Sequence, residues 1–278
     1  MGWHMAAHLS RQEYPVWVWN RTQQKSDQHA KCFGTIAVSI QQAVQADYIF
    51  SCLPTSADIE ALIMQFPPKP GSIWIDCTSG VPDSAQYLSQ YLIKQHVYFL
   101  DAPVSGQTIG AKNGVLTVMV GGDKTAFLKA KPFIETFSQL IEYVGESGAG
   151  FAVKAVNNTL MATHLWALAE GLLLLKAKKV NIKSALHCIN HSSGQSSIST
   201  HIMAQKVLTR SFHKTFALNL LQKDIAIAID LLKNQQLNLA LLQHVQQQFQ
   251  CITPADAIDI DFSAVVQSLE QQYQLELS

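Results

Sequence analysis

The chain has 278 residues, and a prior of about 150 residues per domain predicts two domains. Apolar residues make up 48% of the chain, which excludes a disordered protein. Basic and acidic residues number 20 each, so no charge excess points to nucleic-acid binding. The longest apolar stretch, Leu165–Leu175, contains Glu170 and ends at Lys176, so we expect no membrane span. The five cysteines show no paired spacing, which favours a cytoplasmic protein.

The first half of the chain alternates between strand-like and helix-like segments. Segments with helical spacing, such as Ser56–Gln65 and Pro82–Gln95, separate short apolar runs that have the composition of buried strands. This alternation predicts β-α-β units and a doubly wound parallel sheet. The strand-like runs are Val16–Trp19, Tyr48–Leu53, Ser72–Ile75, Tyr98–Leu100, Leu116–Val120 and Ile141–Val144.

The second half has almost exclusively helical spacing. The glycine cluster Gly145–Gly150 is the best boundary, which gives an α/β domain over residues 1–149 and an all-α domain over residues 150–278. Apolar residues recur at helical spacing throughout the second domain. Its predicted helices are Phe151–Val180, Thr200–Leu208, Phe216–Leu232, Leu237–Gln250 and Asp261–Gln274.

The chain begins inside a dinucleotide-binding pattern. Gly2 opens a segment with helical spacing, and the strand-like run Val16–Trp19 follows. In a G-x-G-x-x-G turn the glycines let the backbone approach a pyrophosphate, and Gly2 stands where the third glycine would stand. Because the first strand and two glycines do not precede it, we expect a gap at the centre of the sheet. Either the start is assigned at an internal methionine, or the chain is truncated.

Three polar residues, Asn20, Arg21 and Thr22, follow the run Val16–Trp19. NAD sites commonly carry a carboxylate there for the ribose 2′-hydroxyl, whereas an arginine attracts the 2′-phosphate of NADP. The pattern favours NADP over NAD, and an ordinary polar turn explains the same residues equally well.

A glycine-rich segment, Gly148-Ala-Gly150, precedes Lys154, Asn157 and Asn158. Lys154 and Asn158 are four residues apart, which places them on one face of the predicted helix. A lysine amine can exchange a proton with a substrate oxygen during hydride transfer, and an amide one turn later can hold that oxygen. Without the glycines the same spacing would be typical of a solvated helix face.

Several motifs, in the same order, resemble those of the β-hydroxyacid dehydrogenase family, which includes 3-hydroxyisobutyrate dehydrogenases and glyoxylate and succinic-semialdehyde reductases. The family's substrate motif is similar to Asp101–Gly106, its catalytic motif to Gly148–Asn158 and its late cofactor motif to Lys223-Asp224. The resemblance covers essentially the whole chain. It implies a Rossmann-type α/β domain followed by an all-α domain, and an oxidoreductase that interconverts a short hydroxy acid and its semialdehyde or keto form.

The resemblance also implies residue roles. Lys154 would be the catalytic acid/base, Asn158 would be its partner at the substrate, and the protein would form a homodimer or homotetramer. Ser105 and Gly106 would bind the substrate carboxylate, and Leu53, Pro54, Ser79 and Lys223 would bind the cofactor. From the residues themselves we add Gln107 and Asn157 as substrate-binding candidates, and Gly2, Asn20, Arg21 and Thr22 as cofactor-binding candidates.

The sequence departs from the family pattern at Gln107, where the family usually has a second glycine, so the substrate stays open. Imine reductases share the architecture but usually replace the catalytic lysine, so the presence of Lys154 argues against an imine reductase. A truncated remnant or binding protein without a working cofactor site is the other alternative. The helical pairs His4/His8 and His187/His191 lack an accompanying H-E-x-x-H motif, so we expect no metal.

Overall fold

The computed structural model describes residues 1–12, 14–253 and 256–277. The chain divides into two compact units, Met1–Lys154 and Ala155–Ser278. The first unit contains helices and strands, whereas the described residues of the second unit form helices and turns without a named strand. This is the Rossmann-type α/β domain followed by an all-α domain that the sequence predicts.

The strands of the first unit form a mostly parallel arrangement. They are β1 (Trp17–Val18), β2 (Ile36–Ala37), β3 (Tyr48–Ser51), β4 (Ile73–Asp76), β5 (Tyr98–Asp101), β6 (Val104–Ser105), β7 (Leu116–Gly122) and β8 (Ser138–Gly145). β1 pairs with β2, and β3, β4 and β5 pair in that order, all parallel. β7 runs antiparallel to β5 and β6 and parallel to β8. Every residue of β4 is buried, as expected for an inner strand covered on both faces.

The sheet is interrupted between β1 and β3. β1 belongs to a two-stranded sheet with β2, while β3 is the edge of the larger sheet, and no strand in the described ranges pairs with both. The carbonyls of Asp47 and Ser51 accept hydrogen bonds from Ile73 and Cys77, on the β4 side of β3. The opposite edge of β3 has no partner strand in the described residues, which confirms the expected gap in the sheet.

The helices of the first unit begin soon after the strands because of local capping residues. The Thr55 side chain accepts the Asp58 N–H in a capping box at the start of one helix, and Pro82 is the first residue of the next. The helices are α1 (Gly2–Leu9), α2 (Gln23–Phe33), α3 (Ile40–Ala43), α4 (Ser56–Gln65), α5 (Pro82–Ile93), α6 (Gln107–Asn113) and α7 (Lys124–Ile134), followed by a 3₁₀ turn, Glu135–Phe137.

Helix α8 (Ala149–Ala177) leaves the first unit and continues as a core helix of the second. The other elements are α9 (Ile182–Asn190), a π-helix (Ile198–Val207), α10 (Leu218–Asn234), α11 (Ala240–Phe249), 3₁₀ turns at Asp256–Ile258 and Phe262–Val265, and α12 (Val266–Tyr273). The π-helix corrects the expected ordinary helix Thr200–Leu208. The N–H of Leu208 donates to the carbonyl of Met203, five residues back, and apolar spacing alone does not distinguish this geometry.

By length and composition α8 could cross a membrane, and it is the one described helix that meets this criterion. The expectation of no span relied on Glu170 and Lys176, which interrupt the run without removing the apolar character of the whole helix. Leu165, Ala169 and Leu172 of this helix are fully buried in the core of the helical unit. A core helix has the same composition, so the helix is weak evidence for a membrane span.

Candidate active site

The carboxyl ends of β3, β4 and β5 lie side by side. Their last residues, Ser51, Asp76 and Asp101, are in register across the three parallel strands. Ser51 Oγ donates to Asp76 Oδ1 at 2.9 Å, and the Leu53 N–H donates to Thr78 Oγ1 at 3.1 Å. The segments that follow β3 and β4 are therefore tied together. Open α/β sheets bind ligands at this edge, which makes it the candidate site.

Three of the predicted cofactor residues lie at this edge. Leu53 and Pro54 lie in the loop after β3, and Ser79 lies in the loop after β4. Pro54 is exposed, and the other two residues are half-buried. The next residue, Gly80, has no room for a side chain, because a Cβ there would lie 2.5 Å from Cε2 of Phe151. The loop after β4 therefore packs directly against the first turn of α8.

Gly2 lies in the first turn of α1, close to the end of β3. A Cβ at Gly2 would lie 3.4 Å from Cβ of Cys52, so the backbone of α1 approaches this edge closely. Such a helix start fits the pyrophosphate of a dinucleotide. Burial raises the pKa of the Cys52 thiol and raises that of Cys77 well above its usual value. Both thiols are therefore protonated at neutral pH and are not nucleophiles.

The residues predicted to select NADP follow β1 in the two-stranded sheet. Asn20 Oδ1 accepts the N–H of Thr22 at 2.9 Å, so a turn explains Asn20 without any ligand. The Arg21 side chain is 72% exposed, and its Nη1 lies 3.9 Å from Asp58 Oδ1. An exposed guanidinium in so loose an ion pair can still bind a phosphate.

Asp101, at the end of β5, caps the first turn of α8. Its Oδ1 accepts the Gly148 N–H at 2.8 Å, and its Oδ2 accepts the Phe151 N–H at 3.0 Å. Burial raises the pKa of Asp101 to about 6, although the backbone N–H donors act in the opposite direction. Asp101 opens the segment Asp101–Gly106, and no role for its side chain was predicted. An aspartate that ends a buried strand is the signal that could have identified it.

Glycines make this contact possible. Gly148 has a φ of +94°, a conformation that L side chains rarely adopt. A Cβ at Gly150 would lie 2.4 Å from the Met119 carbonyl oxygen, and a Cβ at Gly121 would lie 2.7 Å from Asp101 Oδ1. The glycine-rich segments of the sequence therefore have a physical reason, which is the close approach of α8 to β5 and β7.

The predicted substrate loop carries backbone strain at one residue. Ser105 ends β6 opposite Thr117 of β7 and is half-buried. Gly106 has a φ of +132°, and Gln107 has a φ of +58° with an exposed side chain. Left-handed backbone costs a residue with a side chain roughly 1–2 kcal/mol. The glycine usual at this place in the family motif would avoid that strain, so the departure at Gln107 is energetically unfavourable.

Lys154 and Asn158 lie one turn apart on α8, and they are 8% and 3% exposed. Asn158 Nδ2 donates to Asp224 Oδ2 at 2.6 Å, and Asn157 Nδ2 donates to Asn158 Oδ1 at 3.1 Å. Asp224 Oδ1 lies 3.0 Å from Lys223 Nζ, an ion-pair contact without hydrogen-bond geometry. Asp224, which was not among the predicted site residues, therefore connects Asn158 with Lys223.

The candidate residues are shared between the two units. The first unit contains Gly2, Asn20, Arg21, Thr22, Leu53, Pro54, Ser79, Ser105, Gly106 and Gln107, and Lys154 is its last residue. The second unit contains Asn157, Asn158 and Lys223. Their roles stay predictions.

Two family profiles cover most of the chain. Residues 1–145 match the NAD binding domain of 6-phosphogluconate dehydrogenase, and residues 148–269 match the NAD-binding domain of NADP-dependent 3-hydroxyisobutyrate dehydrogenase. An uncharacterized oxidoreductase of Shewanella frigidimarina is 31% identical over 98% of this chain and 95% of its own length. The 2-(hydroxymethyl)glutarate dehydrogenase of Eubacterium barkeri is 32% identical over 82% of this chain and 78% of its own. The structure of Mycobacterium tuberculosis 3-hydroxyisobutyrate dehydrogenase with L-serine has a TM-score of 0.87 and 25% identity, and the match covers 97% of this chain and 95% of that one.

Proposed function

Because the chain belongs to the β-hydroxyacid dehydrogenase family, we propose that it is an NADP-preferring enzyme with Lys154 as its catalytic acid/base. It is an NAD(P)-dependent oxidoreductase that interconverts a hydroxy acid and its semialdehyde or keto form. The observation that carries the proposal is the position of Lys154, which is 8% exposed near the start of a helix that Asp101 caps from the end of β5.

A bound nicotinamide supplies or accepts the hydride. During reduction the Lys154 ammonium donates a proton to the carbonyl oxygen of the substrate, and during oxidation the neutral amine accepts the hydroxyl proton. Asn158 lies one turn further along α8 and holds the same oxygen or orients the lysine. The short hydrogen bond from Asn158 Nδ2 to Asp224 supports this role, because it keeps the amide in one orientation.

The substrate carboxylate binds at the start of α6. Ser105 provides a hydroxyl donor, and Gly106 and Gln107 provide backbone N–H donors of the kind that bind anions. The exposed side chain of Gln107 stands beside these donors and limits the shape of the substrate. Asn157, on α8, is a further substrate-binding residue in this proposal. A short 3-hydroxy acid satisfies these groups with one carboxylate and one hydroxyl.

NADP is the preferred cofactor in this proposal, and NAD remains a possible one. Arg21 presents an exposed guanidinium after β1, and its neighbours in the sequence, Asn20 and Thr22, are uncharged. A guanidinium there binds the 2′-phosphate. Gly2, Leu53, Pro54 and Ser79 are the further cofactor-binding residues that we propose in the first unit, and Lys223 is the candidate in the second unit.

The exposed face of α8 supports a homodimer, with a homotetramer as the larger alternative. Val156, Leu160 and Leu174 are 43%, 46% and 64% exposed, although all three are apolar. Ala167 and Gly171 lie on the same exposed face, and small residues allow another helix to approach closely. A partner helix would cover these side chains.

The free thiols of all five cysteines support a reducing, cytoplasmic location.

The test is binding and turnover by the purified chain. We expect NADPH titration to quench tryptophan fluorescence at lower concentrations than NADH, and short 3-hydroxy acids to reduce NADP⁺. Arg21→Asp should weaken NADPH binding much more than NADH binding, and equal losses would contradict the NADP assignment. A chain that binds neither cofactor would support the alternative of a binding protein without a working cofactor site, for which the open edge of β3 is the relevant observation.

A further inference from the structure

The Asp101 carboxylate connects two segments that carry different candidate residues. Along the chain, the buried residues Ala102–Val104 lead from Asp101 to Ser105. Through space, the two carboxylate oxygens accept the N–H groups of Gly148 and Phe151, and Lys154 follows Phe151 by three residues in α8. Asp101 thus connects Ser105, which is proposed to bind the substrate carboxylate, with Lys154, the proposed acid/base.

The connection leaves little freedom for movement. Asp101 is fully buried, and a Cβ at Gly150 would lie 2.6 Å from the backbone oxygen of Asp101. A Cβ at Gly121 would lie 2.7 Å from the carboxylate itself. Backbone from α8 and from β7 therefore encloses Asp101, so α8 cannot shift along β5 without breaking the two hydrogen bonds.

The geometry points to Asp101 as a positioning residue, which holds the first turn of α8, and with it Lys154, in place relative to the loop that carries Ser105. This inference rests on the proposed function, because the roles of Lys154 and Ser105 come from there. Two N–H donors at a helix N-terminus require two acceptor oxygens, which a carboxylate provides. An asparagine provides one acceptor and turns its own NH₂ group toward the second donor.

Loss of the contact should affect the chemical step more than cofactor binding. A misplacement of about 1 Å in a reacting group can reduce the rate about 100-fold. The proposed cofactor residues Arg21 and Leu53 follow β1 and β3, whereas the hydrogen bonds of Asp101 are made with Gly148 and Phe151 at the start of α8. A role in positioning therefore predicts a loss of kcat with an unchanged dissociation constant for NADPH.

A purely structural cap predicts a different result, and the chain contains a matched control. Asp123 caps α7 by accepting the Ala126 N–H at 2.7 Å, and α7 contains none of the candidate residues. Asp123→Ala removes an aspartate cap from a helix of the same unit and should lower the melting temperature while kcat stays within about two-fold of wild type.

The experiment compares wild type, Asp101→Ala, Asp101→Asn and Asp123→Ala, well below their melting temperatures. We expect both Asp101 variants to lose about 100-fold in kcat, to keep the NADPH dissociation constant within about two-fold, and to show a larger primary deuterium isotope effect than wild type. Asp101→Asn is isosteric, so it serves as the test if Asp101→Ala does not fold.

Two results would overturn the inference. A folded Asp101→Asn protein with kcat within about two-fold of wild type shows that the contact does not position Lys154. A loss of kcat that Asp123→Ala reproduces shows that destabilisation alone is responsible. If wild type itself turns over no hydroxy acid, the proposed function fails first and takes this inference with it, whereas an active wild type with an equally active Asp101→Asn refutes only the positioning role.

Discussion

Replacing Asp101 by asparagine should remove a pH dependence from the stability of the protein. Burial raises the pKa of this carboxyl from 3.8 to about 6 in the folded state. Between these values the folded state binds more protons than the unfolded state, so the contribution of this group to stability rises as the pH falls. The asparagine side chain does not titrate and cannot make this contribution.

The magnitude follows from the two pKa values. At about 1.4 kcal/mol for each pKa unit, the difference between 3.8 and about 6 corresponds to about 3 kcal/mol once both states are protonated. At about pH 5 the folded carboxyl is mostly protonated and the unfolded one is still ionised. Moving from about pH 7.5 to about pH 5 should then stabilise the protein by about 1.4 kcal/mol through Asp101 alone.

Urea unfolding of wild type and Asp101→Asn at these two pH values measures this contribution. Groups that titrate in both proteins, such as His4, whose pKa is lowered chiefly by burial, cancel in the comparison. The free energy of unfolding of wild type minus that of the variant should be larger at the lower pH by about 1.4 kcal/mol. If the free energy of unfolding of wild type minus that of the variant is the same at both pH values, the pKa of Asp101 is not raised in the folded state.

Three further outcomes follow from single contacts. Lys206→Met should destabilise the helical unit by about 3–5 kcal/mol, because it leaves the buried Asp261 carboxylate, 2.7 Å from Nζ, without its cation; an unchanged melting temperature would contradict this. Gln107→Gly should stabilise the first unit by about 0.5 kcal/mol in urea unfolding, since relief of the left-handed backbone exceeds the entropic disadvantage of glycine. If the protein forms the proposed dimer, Leu160→Glu should convert it into a monomer in light scattering at unchanged helical content, and a dimer that persists in this variant would rule out this face of α8.

Local patterns in the sequence were sufficient to predict most of the fold. The run that contains β4 is apolar and short because both faces of that strand are buried, and the long apolar pattern after Gly148 predicts α8. The gap in the sheet was also predictable, because Gly2 stands where the third glycine of a G-x-G-x-x-G turn would stand and already lies at the start of α1. Strand β6 has two residues, which is too few for a periodic pattern to indicate it.

The contacts inside the candidate site were not predictable in the same way. Asp101 and Gly148 are 47 residues apart in the chain, and Asn158 and Asp224 are 66 apart. Periodicity describes neighbours on one helix or strand and contains no information on such pairs. The motif placed Lys154 and Asn158 on one helical face, but only the tertiary structure shows which carboxylate holds the Asn158 amide.

Turnover by Lys154→Ala tests whether Lys154 exchanges the proton during hydride transfer. Lys178→Ala, which changes an exposed lysine just after α8, is the matched control. We expect Lys154→Ala to lower kcat by at least about 100-fold with short 3-hydroxy acids and NADP⁺, while NADPH binding and the control stay at wild-type values. Turnover by Lys154→Ala within about two-fold of wild type would contradict the assignment of Lys154 as the catalytic acid/base.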